Sequence, residues 1–312
     1  MKKQNLAAAL GILALVALVA GAWADEKYVE PFAKTESLAK NGRVIIGNLS
    51  GTIDVRSWDQ AQVKIEAEKV SNASSLDTAK ANAALVTIEI TKEGDILKVE
   101  TKYPSGRNRD MHVSVNYKIW VPDKAAVKLG NHSGAVNVEA LGGAFEADIT
   151  SGNTTVAKMA GPVDCRTVSG RITVRDVAND IDLKTVSGTI EASQIKGSVD
   201  AETTSGRIEL RDVSGAKTVR AKVLSGNIIY EGQVAPGAKI TLEALSGGLE
   251  LTLPANAAFE LNAETFSGHV DSEFVITMSG KLSPKELRGV VNNGGATLRL
   301  KTFSGSIRIK KK

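Results

Sequence analysis

Residues 163–180 read VDCRTVSGRITVRDVAND, residues 181–198 IDLKTVSGTIEASQIKGS and residues 199–216 VDAETTSGRIELRDVSGA. Aligned on their Ser-Gly pairs, the three lines repeat one pattern. Apolar or small residues stand six and four before the serine, Thr two before it, and apolar residues three, five and eight after it. The serines of this repeat fall at Ser133, Ser151, Ser169, Ser187, Ser205, Ser225, Ser246, Ser267 and Ser304, with an earlier one at Ser50. The intervals from Ser133 are 18 four times, then 20, 21, 21 and 37. A fixed period of this kind identifies a stacked array of structural units.

Within each unit the apolar residues alternate with polar ones, the period of a half-buried strand. Val163, Cys165 and Thr167 point inward with Ile181, Leu183 and Thr185 of the next unit, whereas Asp164, Arg166, Asp182 and Lys184 point to water. Glycine at each bend admits backbone angles that other residues resist. Three inward stretches separated by bends make one coil, and a coil buries its apolar face only by stacking on neighbours about 4.8 Å away. The fold expected is therefore all-β: a parallel β-solenoid, a three-sided β-helix of 18–21-residue coils. A sandwich of short strands is the competing architecture, but it does not account for side-chain type recurring at each position.

Residues 131–312 form this repeat section, and residues 25–130 a strand-rich N-terminal section expected to cap the exposed end of the stack. The latter contains one helix from about Ser75 to Leu85, with Ser74 or Ser75 as its cap, and a hairpin turn at Glu93-Gly94-Asp95. Ser283-Pro284-Lys285-Glu286-Leu287-Arg288-Gly289 carries the signals of a short helical turn within the 37-residue interval.

Residues 1–24 read as a cleaved signal peptide. Lys2 and Lys3 precede an apolar run from Leu6 to Ala22, and Ala22-Trp23-Ala24 forms the small-residue cleavage site. A retained anchor helix is the alternative, since the run approaches the roughly 18 apolar residues that span a bilayer. Cleavage leaves no transmembrane segment, so the expected location is outside the cytoplasm: periplasm, cell surface or secreted. Lys+Arg 39 against Asp+Glu 35 over 312 residues gives a net charge of +4, too balanced to indicate a nucleic-acid partner. One cysteine, Cys165, rules out an internal disulfide and a cysteine-rich metal site.

Five residues before the serine stand Glu146, Asp164, Asp182 and Asp200, which in-register coils would align into an outer acidic column. Neighbouring Arg166 and Lys184 make a compensated stripe the expected reading. A calcium site or paired carboxylates for polysaccharide cleavage are the alternatives. The serines lack the strand-elbow-helix setting of a hydrolase nucleophile. His112, His132 and His269 are expected at the surface, and His132 and His269, each beside a Ser-Gly corner at opposite ends of the repeat, are too far apart to share a metal. Cys165 occupies a core position, and Thr167, Thr185 and Thr203 are expected to form a hydroxyl ladder with Ser169, Ser187 and Ser205. Immediately before the serine, an outward position is apolar in Val168, Val186, Leu224, Leu245, Phe266 and Phe303. Exposed apolar residues in a line can mark an interaction surface, which makes Leu224, Leu245, Phe266 and Phe303 the candidate partner-binding residues; the alternative is that the long N-terminal section or the bend itself covers them. The tail Arg308, Lys310, Lys311 and Lys312 is basic.

The Val121-Pro122-Asp123 stretch, the repeated apolar-x-Thr-x-Ser-Gly-x-Ile-x-apolar units, Gly142-Gly143, Lys196-Gly197 and Ile53-x-Val55-x-x-Trp58-Asp59 together resemble a bacterial adhesin-like family of unknown function built from β-strand repeats. The resemblance covers nearly the whole chain after residue 24 and implies a β-solenoid exported to the envelope, with no active site to carry over. The function expected is that of an exported non-catalytic envelope or surface protein, not an enzyme, that binds an envelope or surface protein or a glycan through a solenoid face without a cofactor. A carbohydrate-active β-helix enzyme and a purely structural spacer are the alternatives.

Overall fold

The computed structural model describes residues 26–105, 111–278 and 283–312; the leader and its cleavage site lie outside them. The chain winds as coils, each presenting one strand that runs into the Ser-Gly corner and one that leaves it. Val163–Ser169, for example, runs in and Ile172–Val177 runs out. Corresponding strands of successive coils pair parallel and in register, Val163 with Ile181 and Ser169 with Ser187, then Ile181 with Val199 and Ser187 with Ser205. The inward positions form one continuous core from Leu38 to Ile309, Leu183, Ala201 and Ile208 being fully buried within it. This is the expected β-solenoid.

In the five coils from Ser133 to Ser205 the third inward residue is reached by a device without a sequence signature. Ala140, Lys158, Asp176, Gln194 and Asp212, each seven after a serine, adopt left-handed backbone with φ between 49° and 64°. That single turn changes the inward spacing from two to three, which places Leu141, Met159, Val177, Ile195 and Val213 in the core. It forms the short third side.

The Ser50-Gly51 pair is a full member of the stack. Arg43–Ser50 pairs parallel with Ala126–Ser133, Ser50 opposite Ser133, and Ile53–Trp58 pairs with Val136–Glu139. Beyond this coil one more parallel layer, Ile96–Lys102 on Arg43–Ser50 and His112–Pro122 on Ile53–Trp58, gives way to antiparallel strands. Gln62–Ala73 lies between His112–Pro122 and Glu26–Ser37 and is antiparallel to both, and Thr87–Glu93 closes the other face against Ile96–Lys102. The helix Leu76–Leu85 starts at Ser75, whose side chain accepts from Thr78 N. Its C-terminal end is satisfied by buried Lys69, whose ammonium donates to the carbonyls of Ala83 and Val86 at 3.2 and 3.0 Å and pairs with Glu30 at 2.5 Å.

The other end departs from the sequence expectation twice. Residues 283–289 contain no helical turn: Glu286–Val291 is a strand, antiparallel to Phe259–Ser267. Local capping signals lose here to an unpaired strand edge, with Thr265 N donating to Lys285 O and Val270 N to Pro284 O. The coils also do not stack in chain order. Ala296–Ser304 inserts between Lys239–Ser246 and Phe259–Ser267, parallel to both, so the coil carrying Ser304 separates those carrying Ser246 and Ser267.

The corner glycines touch. Gly170 has φ +133°, and a Cβ there would lie 2.1 Å from the Gly152 carbonyl oxygen; Gly226 repeats this with Gly206 at φ +138° and 1.7 Å. Glycine is required at these corners for its angle and for the close approach of the next coil; at Gly188, whose φ lies outside the left-handed region, the close approach to the Gly170 carbonyl alone requires it. The expected ladder linking Thr and Ser hydroxyls does not form. Ser169, Ser187 and Ser205 are exposed, while Thr167 and Thr203 donate to the carbonyls of Ser169 and Ser205, and Thr265 and Thr302 to those of Gly305 and Gly247 in the adjacent coil.

Candidate functional site

Strand alternation breaks at the corner. Thr167 is buried, yet both Val168 and Ser169 face solvent, so the residue before each serine stands at the crest of the corner. In spatial order the crest runs His132, Thr150, Val168, Val186, Thr204, Leu224, Leu245, Phe303, Phe266. Leu224, Leu245, Phe303 and Phe266 are 50%, 50%, 52% and 65% exposed and adjoin without interruption. Phe303 and Phe266 stack with centroids 4.7 Å apart and rings within 6° of parallel, and the Lys285 ammonium sits 5.6 Å from the Phe266 centroid. The crest is rigid because the residues on either side of it are held in parallel register. A groove of about 450 Å³ lies elsewhere, beside Phe32 and Tyr117 in the N-terminal section, while one of about 430 Å³ lies beside the crest, lined by Val168, Val186, Arg166 and Lys184 among others.

The acidic column also forms, Glu146 opposite Asp164, Asp164 opposite Asp182 and Asp182 opposite Asp200. Basic residues compensate it: Lys128 to Glu146 at 2.5 Å, Arg166 to Asp164 at 2.7 Å and Lys184 to Asp182 at 2.9 Å. The hydrogen bond from Lys128 holds the Glu146 carboxyl below its ordinary pKa, while partial burial pushes Asp164 and Asp200 upward, Asp182 adding repulsion to each. The four stand side by side along one strand face, and among the described residues no group of three or more His, Cys, Asp or Glu is placed to hold a metal ion.

The remaining candidates separate in space. His132 lies on the crest near the N-terminal section, and His269 lies at the far end, 3.0 Å from Asp271 and 3.1 Å from the Ser306 hydroxyl. Cys165 is buried, and burial pushes its thiol pKa up, away from thiolate chemistry. The basic tail is part of the stack: Ile307–Lys311 pairs with Leu249–Leu253 and Val270–Ser272, and Lys310 and Lys312 bind Glu250 and Glu231 at 2.8 and 2.5 Å. A charge pattern that no linear reading could find lies two residues before the crest. Lys222, Glu243, Lys301 and Glu264 form one column of alternating sign, visible only in the non-sequential order of the coils. No described helix is long and apolar enough to cross a membrane.

Stacked β-coils with a glycine corner and antiparallel end caps define the class. The chain belongs to the Toastrack family DUF4097, which matches residues 43–310. No curated protein matches the sequence. Similar solved structures include a candidate adhesin from Bacteroides fragilis, 12% identical over 91% of this chain and 97% of that one, TM-score 0.45. A second, from Parabacteroides distasonis, is 11% identical over 90% and 97%, TM-score 0.36. A candidate lipid-binding protein from Parabacteroides distasonis is 14% identical over 90% and 96%, TM-score 0.30.

Proposed function

We propose that this chain is an exported, non-catalytic protein of the bacterial envelope or surface that binds an envelope or surface protein, or a glycan, through the crest centred on Leu224, Leu245, Phe303 and Phe266. One observation carries the reading: four large apolar side chains, each at least half exposed, in an unbroken line on a rigid corner. Burying such a side chain fully contributes roughly 1.5–3 kcal/mol, and a contiguous line marks an interaction surface. Repeat solenoids bind along extended faces instead of in a single pocket. Export rests on the charged start, apolar run and small-residue site in residues 1–24; intact mass of envelope-extracted material should show a chain beginning at Asp25.

The test replaces Leu245 and Phe266 together by Ser. Envelope association should fall sharply while the circular-dichroism spectrum is unchanged. Association that survives this change rejects the crest as the binding surface. Depolymerisation of a glycan by purified protein, lost on Asp182→Ala, would put a carbohydrate-active enzyme in place of the binding module.

A further inference from the structure

Resting on the reading of the crest as a binding surface, we infer that its partner is a second copy of this chain, docked crest to crest with the two stacks antiparallel. The argument is charge complementarity at consecutive rungs. The column Lys222, Glu243, Lys301, Glu264 lies on the incoming face beside Leu224, Leu245, Phe303 and Phe266. A two-fold axis perpendicular to the crest, midway between Leu245 and Phe303, reverses the column against itself. Lys222 then meets Glu264 of the partner subunit and Glu243 meets Lys301 of the partner subunit, so every rung brings opposite charges together. On the outgoing face the column is Ile229, Glu250, Arg308, Asp271, and the same axis brings Glu250 against Arg308 of the partner subunit. Along the crest, Leu245 meets Phe303 of the partner subunit and Leu224 meets Phe266 of the partner subunit.

The alternative arrangement is opposed by the same residues. With the stacks parallel and in register, the incoming face of one copy would lie over the outgoing face of the other. Glu243 would then meet Glu250 of the partner subunit, Lys301 would meet Arg308 of the partner subunit, and Glu264 would meet Asp271 of the partner subunit, like charges at three successive rungs. An isologous contact requires a self-complementary patch, and repulsion at the wrong orientation is how specificity is set. Glu243 and Arg308 make no ion pair within the chain among the described residues, so both are open to a partner, whereas Lys301 already pairs with Glu264 at 2.7 Å, Lys222 with Glu202 at 3.8 Å and Glu250 with Lys310 at 2.8 Å, so the contacts centred on Glu243 and Arg308 carry the complementarity. Four rungs span only about 15 Å, shorter than the face of a stable interface. The dimer is therefore weak and concentration-dependent, suited to copies crowded on surfaces.

The test uses the mature chain in sedimentation velocity over a wide concentration range, with E243K and K301E variants. Wild type should shift from monomer to dimer as concentration rises. In each variant alone, like charges meet at both symmetry-related contacts, and association should weaken by about tenfold per contact. Mixed in equal amounts, the two variants face each other with opposite charges throughout and should dimerise as wild type does. A misfolded variant is not rescued by mixing, so rescue reports the contact itself. Wild type that stays monomeric throughout, variants that dimerise unimpaired, or a mixture that fails to associate each overturn the inference. Monomeric wild type whose envelope association is still lost on L245S/F266S would sink the second copy and leave the crest intact; wild-type-like rescue with envelope association indifferent to L245S/F266S would do the reverse.

Discussion

Replacing Gly226 by Ala tests the corner stack directly. The backbone there has φ +138°, and the added Cβ would sit 1.7 Å from the Gly206 carbonyl oxygen, where real Cβ contacts essentially never come under 3.0 Å. The coils must separate locally by more than 1 Å or the corner must rotate. Backbone strain in this glycine-only region costs about 1–3 kcal/mol, and each rung hydrogen bond lost adds about 1 kcal/mol. A total of roughly 3–5 kcal/mol places the change among severe substitutions and corresponds to a fall in melting temperature on the order of 10 °C. Two other glycines separate the contributions. Gly237 has φ +75° with nothing within 4 Å, so Gly237→Ala should cost only its conformational strain, about 1–2 kcal/mol. Gly130 has ordinary φ and open space, so Gly130→Ala should be neutral or stabilise by up to about 1 kcal/mol through the unfolded chain. Thermal melts of the three variants would refute the reasoning if Gly226→Ala fell no further than Gly237→Ala.

Leu183→Asp buries an unpaired charge at a fully buried position and should cost several kcal/mol, whereas Lys184→Ala, its exposed neighbour, should cost under about 1 kcal/mol; equal melting shifts would invert the assignment of faces. Lys69→Met removes the donor to Ala83 and Val86 and leaves Glu30 without its partner, so hydrogen exchange across residues 76–85 should accelerate at least tenfold, and unchanged exchange would show the helix end to be held otherwise. Burial pushes the Tyr117 hydroxyl from its ordinary value of 10.0 to about 12. The folded state then keeps a proton that the unfolded state releases, so stability is constant below about pH 10 and declines toward pH 12; Tyr117→Phe should flatten that decline in alkaline melts.

The period of the repeat disclosed the coils because a residue's face in a stacked strand depends on its position alone, so Val163, Cys165 and Leu183 could be placed in the core from their offsets. Cys165 as a core residue and the outward placing of the apolar residue before each serine followed from the same offsets, whereas only the structure shows that nothing among the described residues covers Leu224, Leu245, Phe303 and Phe266. The left-handed column was invisible because Ala140, Lys158, Asp176, Gln194 and Asp212 share no residue type; the geometry belongs to the rung and is imposed by the coils above and below. Ser50 looked isolated because the antiparallel cap strands interrupt the chain before Ser133. The true neighbours of Phe266 were hidden for a related reason: the coils ending at Ser267 and Ser304 carry equivalent patterns, and nothing local distinguishes which one packs on Ser246. Pro284 and Gly289 gave sound local signals for a helical turn that a free strand edge overrode.

The inserted position of Ala296–Lys311 changes how this molecule must come together and come apart. Ala296–Ser304 follows Phe259–Ser267 in the chain yet lies between it and Lys239–Ser246, so Phe259–Ser267 has no parallel partner until the later strand is made, and the solenoid cannot grow coil by coil in chain order. Once Ala296–Ser304 slides in, it bridges Lys239–Ser246 and Phe259–Ser267, with the strand Ile307–Lys311 held on both sides. A solenoid is expected to unravel from its terminal coils. Here the strand Ile307–Lys311 is not on the terminal coil, and a pulling force acting on it meets an interior strand gripped from both edges. The outer edge at that end is carried instead by the internal strands Glu286–Val291 and Thr277–Met278.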